Sequence, residues 1–177
     1  IISLLVPVLS SQVPLNFTGD IILIIYLFAL ARFFLVLTSL DTGSAFGGMG
    51  GSREMMVSSM AEPAMILSFF TVALTVNSTN LSNITSTLLN NSILLLNPSL
   101  ILAFAALTIV LIAETGRIPV DNPFTHLELT MIHEGMMLEF SGRYLALVEW
   151  ASSMKLLLLL TILVNIFFPW GIAGGLT

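Results

Sequence analysis

Apolar runs long enough to cross a bilayer dominate this chain. In residues 21–40, IILIIYLFALARFFLVLTSL, only Arg32 is charged. The hydrocarbon core of a bilayer is about 30 Å thick and a helix rises about 1.5 Å per residue, so about 20 such residues span it. Residues 55–76, 99–115 and 144–168 are further runs of this kind. Residues 1–9 are apolar, contain Pro7, and read as the end of a helix whose beginning is absent. Hydrocarbon offers the backbone no hydrogen-bond partner, so each segment must satisfy its own amides and carbonyls. The expected fold is all-α: one polytopic transmembrane helix bundle over residues 1–177, with about four full spans and a partial first one. With no initial Met and a first helix that reads as truncated, the 177 residues are expected to be an internal part of a longer chain.

Composition narrows the function. Only 8% of residues are charged, against roughly 25% in soluble domains. No basic stripe exists to hold a nucleic acid, and the lipid bilayer is the first expected partner. Cysteine is absent, which removes thiolate iron–sulfur ligation, thiolate zinc sites and disulfides. No cofactor or metal is expected in this chain, and any redox centre it serves belongs to another subunit.

The polar residues concentrate at 113–143, AETGRIPVDNPFTHLELTMIHEGMMLEFSGR. Glu114, Arg117, Asp121, Glu128, Glu134, Glu139, Arg143 and both histidines, His126 and His133, fall there, and Glu149 follows just beyond. Pro119 and Pro123 break helical structure over 116–124. A short helix is expected over 125–139, where Thr125 and Glu128 have capping-box spacing. A second polar segment, 41–54, contains five glycines but no phosphate-loop pattern, so its glycines are expected in tight turns and close packing. Residues 77–98 are uncharged and rich in Asn, Ser and Thr. Their N-x-S/T matches at Asn77, Asn80, Asn83 and Asn90 are what that composition produces by chance.

If the spans alternate, 41–54 and 116–143 share one side. Arg53, Arg117 and Arg143 lie in these two loops, whereas 10–20, 77–98 and the C-terminal tail carry no Lys or Arg. By the positive-inside rule both loops are cytoplasmic. Asp20 is the expected N-cap of the first full span, and Pro169, Trp170 and Gly171 are expected to end the last, with Trp170 at the interface.

Five ionisable residues lie at membrane depth or its edge: Arg32, Glu62, Glu114, Glu149 and Lys155. Such groups are costly in hydrocarbon and mark ion paths or polar relays, or pair structurally. Arg32 needs a carboxylate from a neighbouring helix. Glu62 precedes Pro63, which frees a carbonyl one turn back. Glu149 and Lys155 are six apart and point to different helix faces, so Lys155 should meet an acid from another helix. His126 and His133 lack the i, i+3 or i+4 spacing of usual metal sites. No hydrolase motif is present.

The residues also carry a family resemblance. The run Glu114–Thr115–x–Arg117–x–Pro119–x–Asp121, then Glu128–Leu129, then Glu139–Phe140–Ser141–Gly142, resembles the membrane subunit 1 family of respiratory complex I. Arg53 lies nine residues before the intramembrane Glu62, a spacing that family shares. Within it, GDIILIIYLFALARFF, LDTGSAFGGMGGSRE, AEPAMIL and FFPWG are more similar to the formate hydrogenlyase subunit 4 type, the membrane subunits of group 4 nickel–iron hydrogenases. The likeness covers essentially the whole chain. It implies a parent fold of about eight helices, of which this chain holds roughly the second to the sixth.

The resemblance further implies a membrane anchor and ion-coupling subunit of an energy-converting hydrogenase. Its partners would be the hydrogenase large and small subunits of a peripheral arm, which hold the nickel–iron centre and iron–sulfur clusters, and antiporter-like membrane subunits. It would sit in a prokaryotic cytoplasmic (inner) membrane. Arg32, Glu62, Glu114, Asp121, Glu128, Glu139, Glu149 and Lys155 would form the ion-coupling relay, and Arg53, Arg117 and Arg143 would balance charge and dock the arm. Two departures bear on the alternatives. Phe124 and His126 stand where complex I has further acids, and the stretch from Glu128 to Glu139 is three residues longer than the complex I pattern. Both changes argue against a quinone-site subunit of a complex I-type enzyme. A non-redox ion-transport or scaffold subunit is the third reading.

Overall fold

The computed structural model describes residues 19–118, 120–121, 132–138 and 140–168. Expectations for residues 1–9, for the helix start at Thr125 and for the chain end at 169–171 lie outside the described residues. Six α-helices are described: α1 (Ile21–Asp41), α2 (Ala45–Val76), α3 (Leu81–Asn90), α4 (Pro98–Glu114), α5 (His133–Met137) and α6 (Arg143–Phe167). A 3-10 turn, Ser92–Leu96, joins α3 to α4. No strand occurs among the described residues; Asp20 and Asn80 form an isolated antiparallel bridge.

The chain is an all-α membrane bundle. Helices α1, α2 and α6 are long and apolar enough to cross a bilayer. At 17 residues α4 is shorter than expected for a full span, rising about 26 Å. Pro98 fixes its first turn, where the missing N–H costs nothing. Its end is a Schellman motif: Arg117 N donates to Ile112 O and Gly116 N to Ala113 O. Gly116 supplies the left-handed residue this requires, at φ +57°.

Helix α2 is the axis of the bundle. It packs on α1, α3, α4 and α5. Its buried face, Ser58, Ala61, Met65, Ser68, Phe69 and Val72, follows the three-and-four spacing of one helix side. Met65, Phe69 and Val72 join Ile24 and Phe28 of α1, Leu107 of α4 and Ile162 of α6 in one core. The outward sides keep large apolar residues such as Phe33, Leu67 and Leu160 exposed, as lipid-facing surfaces require.

Two segments expected as loops are largely helical. The glycine-rich segment 41–54 is a loop only over 42–44, and α2 already begins at Ala45. Ser44 caps that start by accepting from Gly47 N at 3.0 Å. The glycines are held helical by packing, which overrides their poor propensity. Gly47, Gly50 and Gly51 are buried on α2: Gly50 lies against Met136 of α5, and Gly47 and Gly51 lie against Ser39 near the end of α1. The 32 residues of α2 rise about 48 Å, well beyond a hydrocarbon core of about 30 Å. Residues 77–98 contain α3, whose Leu81, Ile84 and Leu88 are fully buried at helical spacing. Asn80 caps it by accepting from Ser82 N at 3.0 Å.

At this end of the bundle Ile21 N donates to Thr79 O, and Leu81 N to Gly19 O, both at 3.0 Å. Asp20 does not cap α1 through its side chain; its carboxylate accepts from the Thr79 hydroxyl instead, at 3.1 Å.

The contact between α2 and α5 yields a test. A Cβ on Gly50 would lie 2.9 Å from Met136 N, whereas a Cβ on Gly48 meets nothing within 4 Å. Gly50→Ala should cost about 1–3 kcal/mol through overpacking against backbone. Gly48→Ala should gain up to about 1 kcal/mol of helix propensity. Thermal unfolding in detergent checks this; equal behaviour of the two variants would contradict the packing.

Candidate functional site

Four charged side chains from four helices meet inside the bundle. Arg32, near the middle of α1, has 3% of its side chain exposed. Its Nη1 donates to Glu62 Oε1 on α2 and its Nη2 to Glu114 Oε1 on α4, each at 2.7 Å. Lys155 of α6 approaches the same acid: its Nζ lies 2.8 Å from Glu114 Oε2. The aligned hydrogen bond of that ammonium goes to the main-chain carbonyl of Glu114, also at 2.8 Å. Glu114 Oε2 therefore meets Lys155 as a charge, and neither it nor Arg32 Nε has a hydrogen bond among the described residues.

Local structure explains this convergence. Glu114 is the last residue of α4, so its carbonyl belongs to the unpaired group at a helix C-terminus. A cation there satisfies the carbonyl and favours the helix dipole. Formally the cluster is neutral, with two cations and two carboxylates. That neutrality lets Arg32 and Glu114 be almost wholly buried in a hydrocarbon-facing bundle.

Beside the cluster lies a cavity of about 540 Å³, lined by Arg32, Glu114 and Lys155 together with Glu54, Arg117, Asp121 and His133. Phe28, Leu35, Val57, Ile132 and Leu158 supply apolar wall. Asp121 is buried and accepts from two main-chain amides, Ile132 N and His133 N, the latter at 2.9 Å. It thereby joins the segment after α4 to the start of α5. Gly50 then seats α5 on α2, so both polar segments border this cavity.

A family profile described as NADH dehydrogenase matches residues 1–175. The chain belongs to the NADH dehydrogenase family, the group like subunit 1 of complex I. It is 39% identical over 96% of its length to formate hydrogenlyase subunit 4 of Escherichia coli (strain K12). It is 37% identical over its whole length to hydrogenase-4 component C of the same organism. It spans 56% and 55% of the lengths of these two relatives.

In this NADH dehydrogenase-family chain the expected site residues separate into groups. Arg32, Glu62, Glu114 and Lys155 form the cluster, and Asp121 and Arg117 line the cavity with it. Glu149 stands apart. It is exposed on α6, and the six residues to Lys155 turn the helix by about 240°. Arg53 is half-buried; Arg117 and Arg143 are exposed, and the Arg143 guanidinium lies 5.1 Å from the Tyr144 ring centroid. Glu128, Glu139 and His126 lie outside the described residues. Among the described residues no group of three or more His, Asp or Glu could hold a metal ion.

Two residues of the cavity were missing from the expected site, Glu54 and His133. Glu54 precedes Ser58, Ala61 and Met65 by four, seven and eleven residues, so it extends the buried side of α2. That signal becomes visible only when 45–54 is read as helix. His133 was weighed as a metal ligand, by its spacing from His126, whereas the structure brings it to the cavity through the bond of its main-chain N–H to Asp121.

Burial, followed by repulsion from Lys155, pushes His133 below its ordinary value of 6.5, with Asp121 opposing. The unfolded state then binds the proton more readily than the folded state. Stability from this group is present above pH 6.5 and is lost as pH falls from there through the folded value. Hydrogen-exchange protection of the Ile132 and His133 amides should therefore weaken on acidification, and His133→Gln should remove that dependence. An unchanged dependence in the variant would contradict it.

Proposed function

We propose that this chain is the membrane anchor and ion-coupling subunit of an energy-converting nickel–iron hydrogenase in a prokaryotic cytoplasmic membrane. The observation that carries this reading is the buried cluster of Arg32, Glu62, Glu114 and Lys155 beside a polar cavity. Charged networks at such depth are costly and typically serve ion paths. The similarity to a formate hydrogenlyase subunit and a hydrogenase-4 component supports the hydrogenase assignment.

In this reading a peripheral arm of large and small hydrogenase subunits carries the nickel–iron centre and iron–sulfur clusters. The arm docks at the end that holds Arg53, Arg117 and Arg143. The chemistry of hydrogen and electrons belongs to the arm. This chain contributes charge that responds to it. A changed field at the docked arm alters the balance around Asp121, Glu128 and Glu139. The change reaches Glu114, which Arg32 links to Glu62 on α2. Lys155 passes it along α6 toward antiporter-like membrane subunits. Proton or sodium movement follows from the rearranged charge.

The cavity itself favours a second reading, a quinone-site subunit of a complex I-type enzyme. Its volume of about 540 Å³ falls within the range of roughly 300–1,000 Å³ for small-molecule sites. Nickel in the complex that co-purifies with this chain separates the two. Stoichiometric nickel with hydrogen evolution supports the hydrogenase. Quinone reduction without nickel replaces it with the second reading. In vesicles holding the nickel-containing complex, Glu62→Gln should leave dye-linked hydrogen chemistry intact and abolish coupled ion movement. Normal ion movement in that variant would remove Glu62 from the relay.

A further inference from the structure

The cavity carboxylates are not equivalent. Glu114 is committed to Arg32 and Lys155, and Asp121 to the amides of Ile132 and His133. Glu62 is held by Arg32 outside the cavity lining. Glu54 differs from all three. It is half-buried in the cavity wall, and its carboxylate makes no hydrogen bond or ion pair among the described residues. Its main-chain carbonyl accepts from the Ser58 hydroxyl, at 2.5 Å.

From this geometry we infer that Glu54 is the proton-exchange group of the cavity, taking up and releasing a proton that the paired acids exchange only by breaking their contacts. The inference rests on the coupling reading above and names the group through which that site exchanges protons. The charged and titratable groups that act on Glu54 come from every neighbouring element. They are Arg32 of α1, Glu114 of α4, Asp121 after it, Lys155 of α6, and His133 of α5 across the same cavity. Arg32 and Lys155 bring positive charge, and Glu114 and Asp121 negative charge, to the same cavity as Glu54. A change in the pairing of Lys155 with Glu114 therefore changes the proton affinity of Glu54, and its protonation in turn changes the field at Lys155.

The step is a proton transfer alone. One O–H bond of a hydronium ion in the cavity breaks as one forms on a Glu54 oxygen, and that bond breaks in turn when the proton passes on to the Glu114 carboxylate. No electron moves. A cavity of about 540 Å³ has room for water at about 30 Å³ per molecule to carry the proton between them. Once protonated, Glu114 no longer neutralises Arg32 and Lys155, so a proton arriving by way of Glu54 loosens the link between α1, α4 and α6.

The test uses the whole complex in vesicles, with Glu54→Gln and Glu54→Asp beside the unchanged protein. Two quantities are read: coupled ion movement across a pH series, and the infrared carboxyl C=O band that grows on acidification. The expected result is a pH-dependent carboxyl band lost in Glu54→Gln and shifted in Glu54→Asp. Ion movement should be lost in the first variant and restored, with a displaced pH profile, in the second. A band unchanged in both variants, or a Glu54→Gln complex that moves ions normally, overturns the role of Glu54. If Glu54→Gln fails to assemble, the band in Glu54→Asp decides alone, a shift supporting the role and identity overturning it. If the unchanged complex moves no ions, the coupling reading fails, and the infrared band still decides whether Glu54 exchanges protons.

Discussion

A guanidinium placed halfway along an apolar helix is the constraint on which this structure depends. A charge at the bilayer centre costs roughly 2.5–3.5 kcal/mol on insertion scales. Arg32 meets that requirement with Glu62 and Glu114 at 2.7 Å each. Its planar fork is suited to holding two carboxylates at once. Because those acids come from α2 and α4, satisfying one residue fixes the relation of three helices. Glu114 brings in a fourth, through Lys155. Hydrophobic packing between helices gives little net drive in lipid, so directed polar contacts of this sort carry much of the specificity.

The polar end follows from that arrangement. Glu114 needs to sit at the end of α4, where its carbonyl is available to Lys155. The Schellman motif at Gly116 places it there and turns the chain back toward the bundle. Asp121 then collects the amides of Ile132 and His133, and Gly50 of α2 admits α5 at backbone distance. Two polar segments far apart in sequence therefore enclose a single cavity beside the cluster. Glycine at position 50 and a carboxylate at position 121 thus shape a site whose charge is set by Arg32.

Much of this was legible in the residues. The apolar runs predict an all-α membrane bundle, and the isolated charges predict that Arg32 and Lys155 each meet an acid from another helix. Neither partner was legible, because helix–helix register is set by packing that no single segment contains. The helical form of 45–54 was hidden for a related reason. Glycine weakens a helix locally by about 1 kcal/mol each, and only the approach of Gly135 and Met136 shows what that sacrifice allows. Glu54 was overlooked with it, since its place on the buried side of α2 depends on the helix reaching back that far. In 77–98 polar composition masked the spacing of Leu81, Ile84 and Leu88. Glu149 was counted in the relay by membrane depth, although its six-residue spacing from Lys155 already placed the two on different helix faces.

The most direct measurement is a double-mutant cycle on Arg32 and Glu114, using Arg32→Gln, Glu114→Gln and the pair, read as the thermal stability of the membrane complex. Removing one partner of a buried ion pair leaves an uncompensated charge, a loss of about 3–5 kcal/mol. The account predicts that each single variant is strongly destabilised and that the double variant is more stable than the sum of the single losses requires. Additive losses, the behaviour of independent sites, would show that Arg32 and Glu114 do not hold these helices together and would contradict the account.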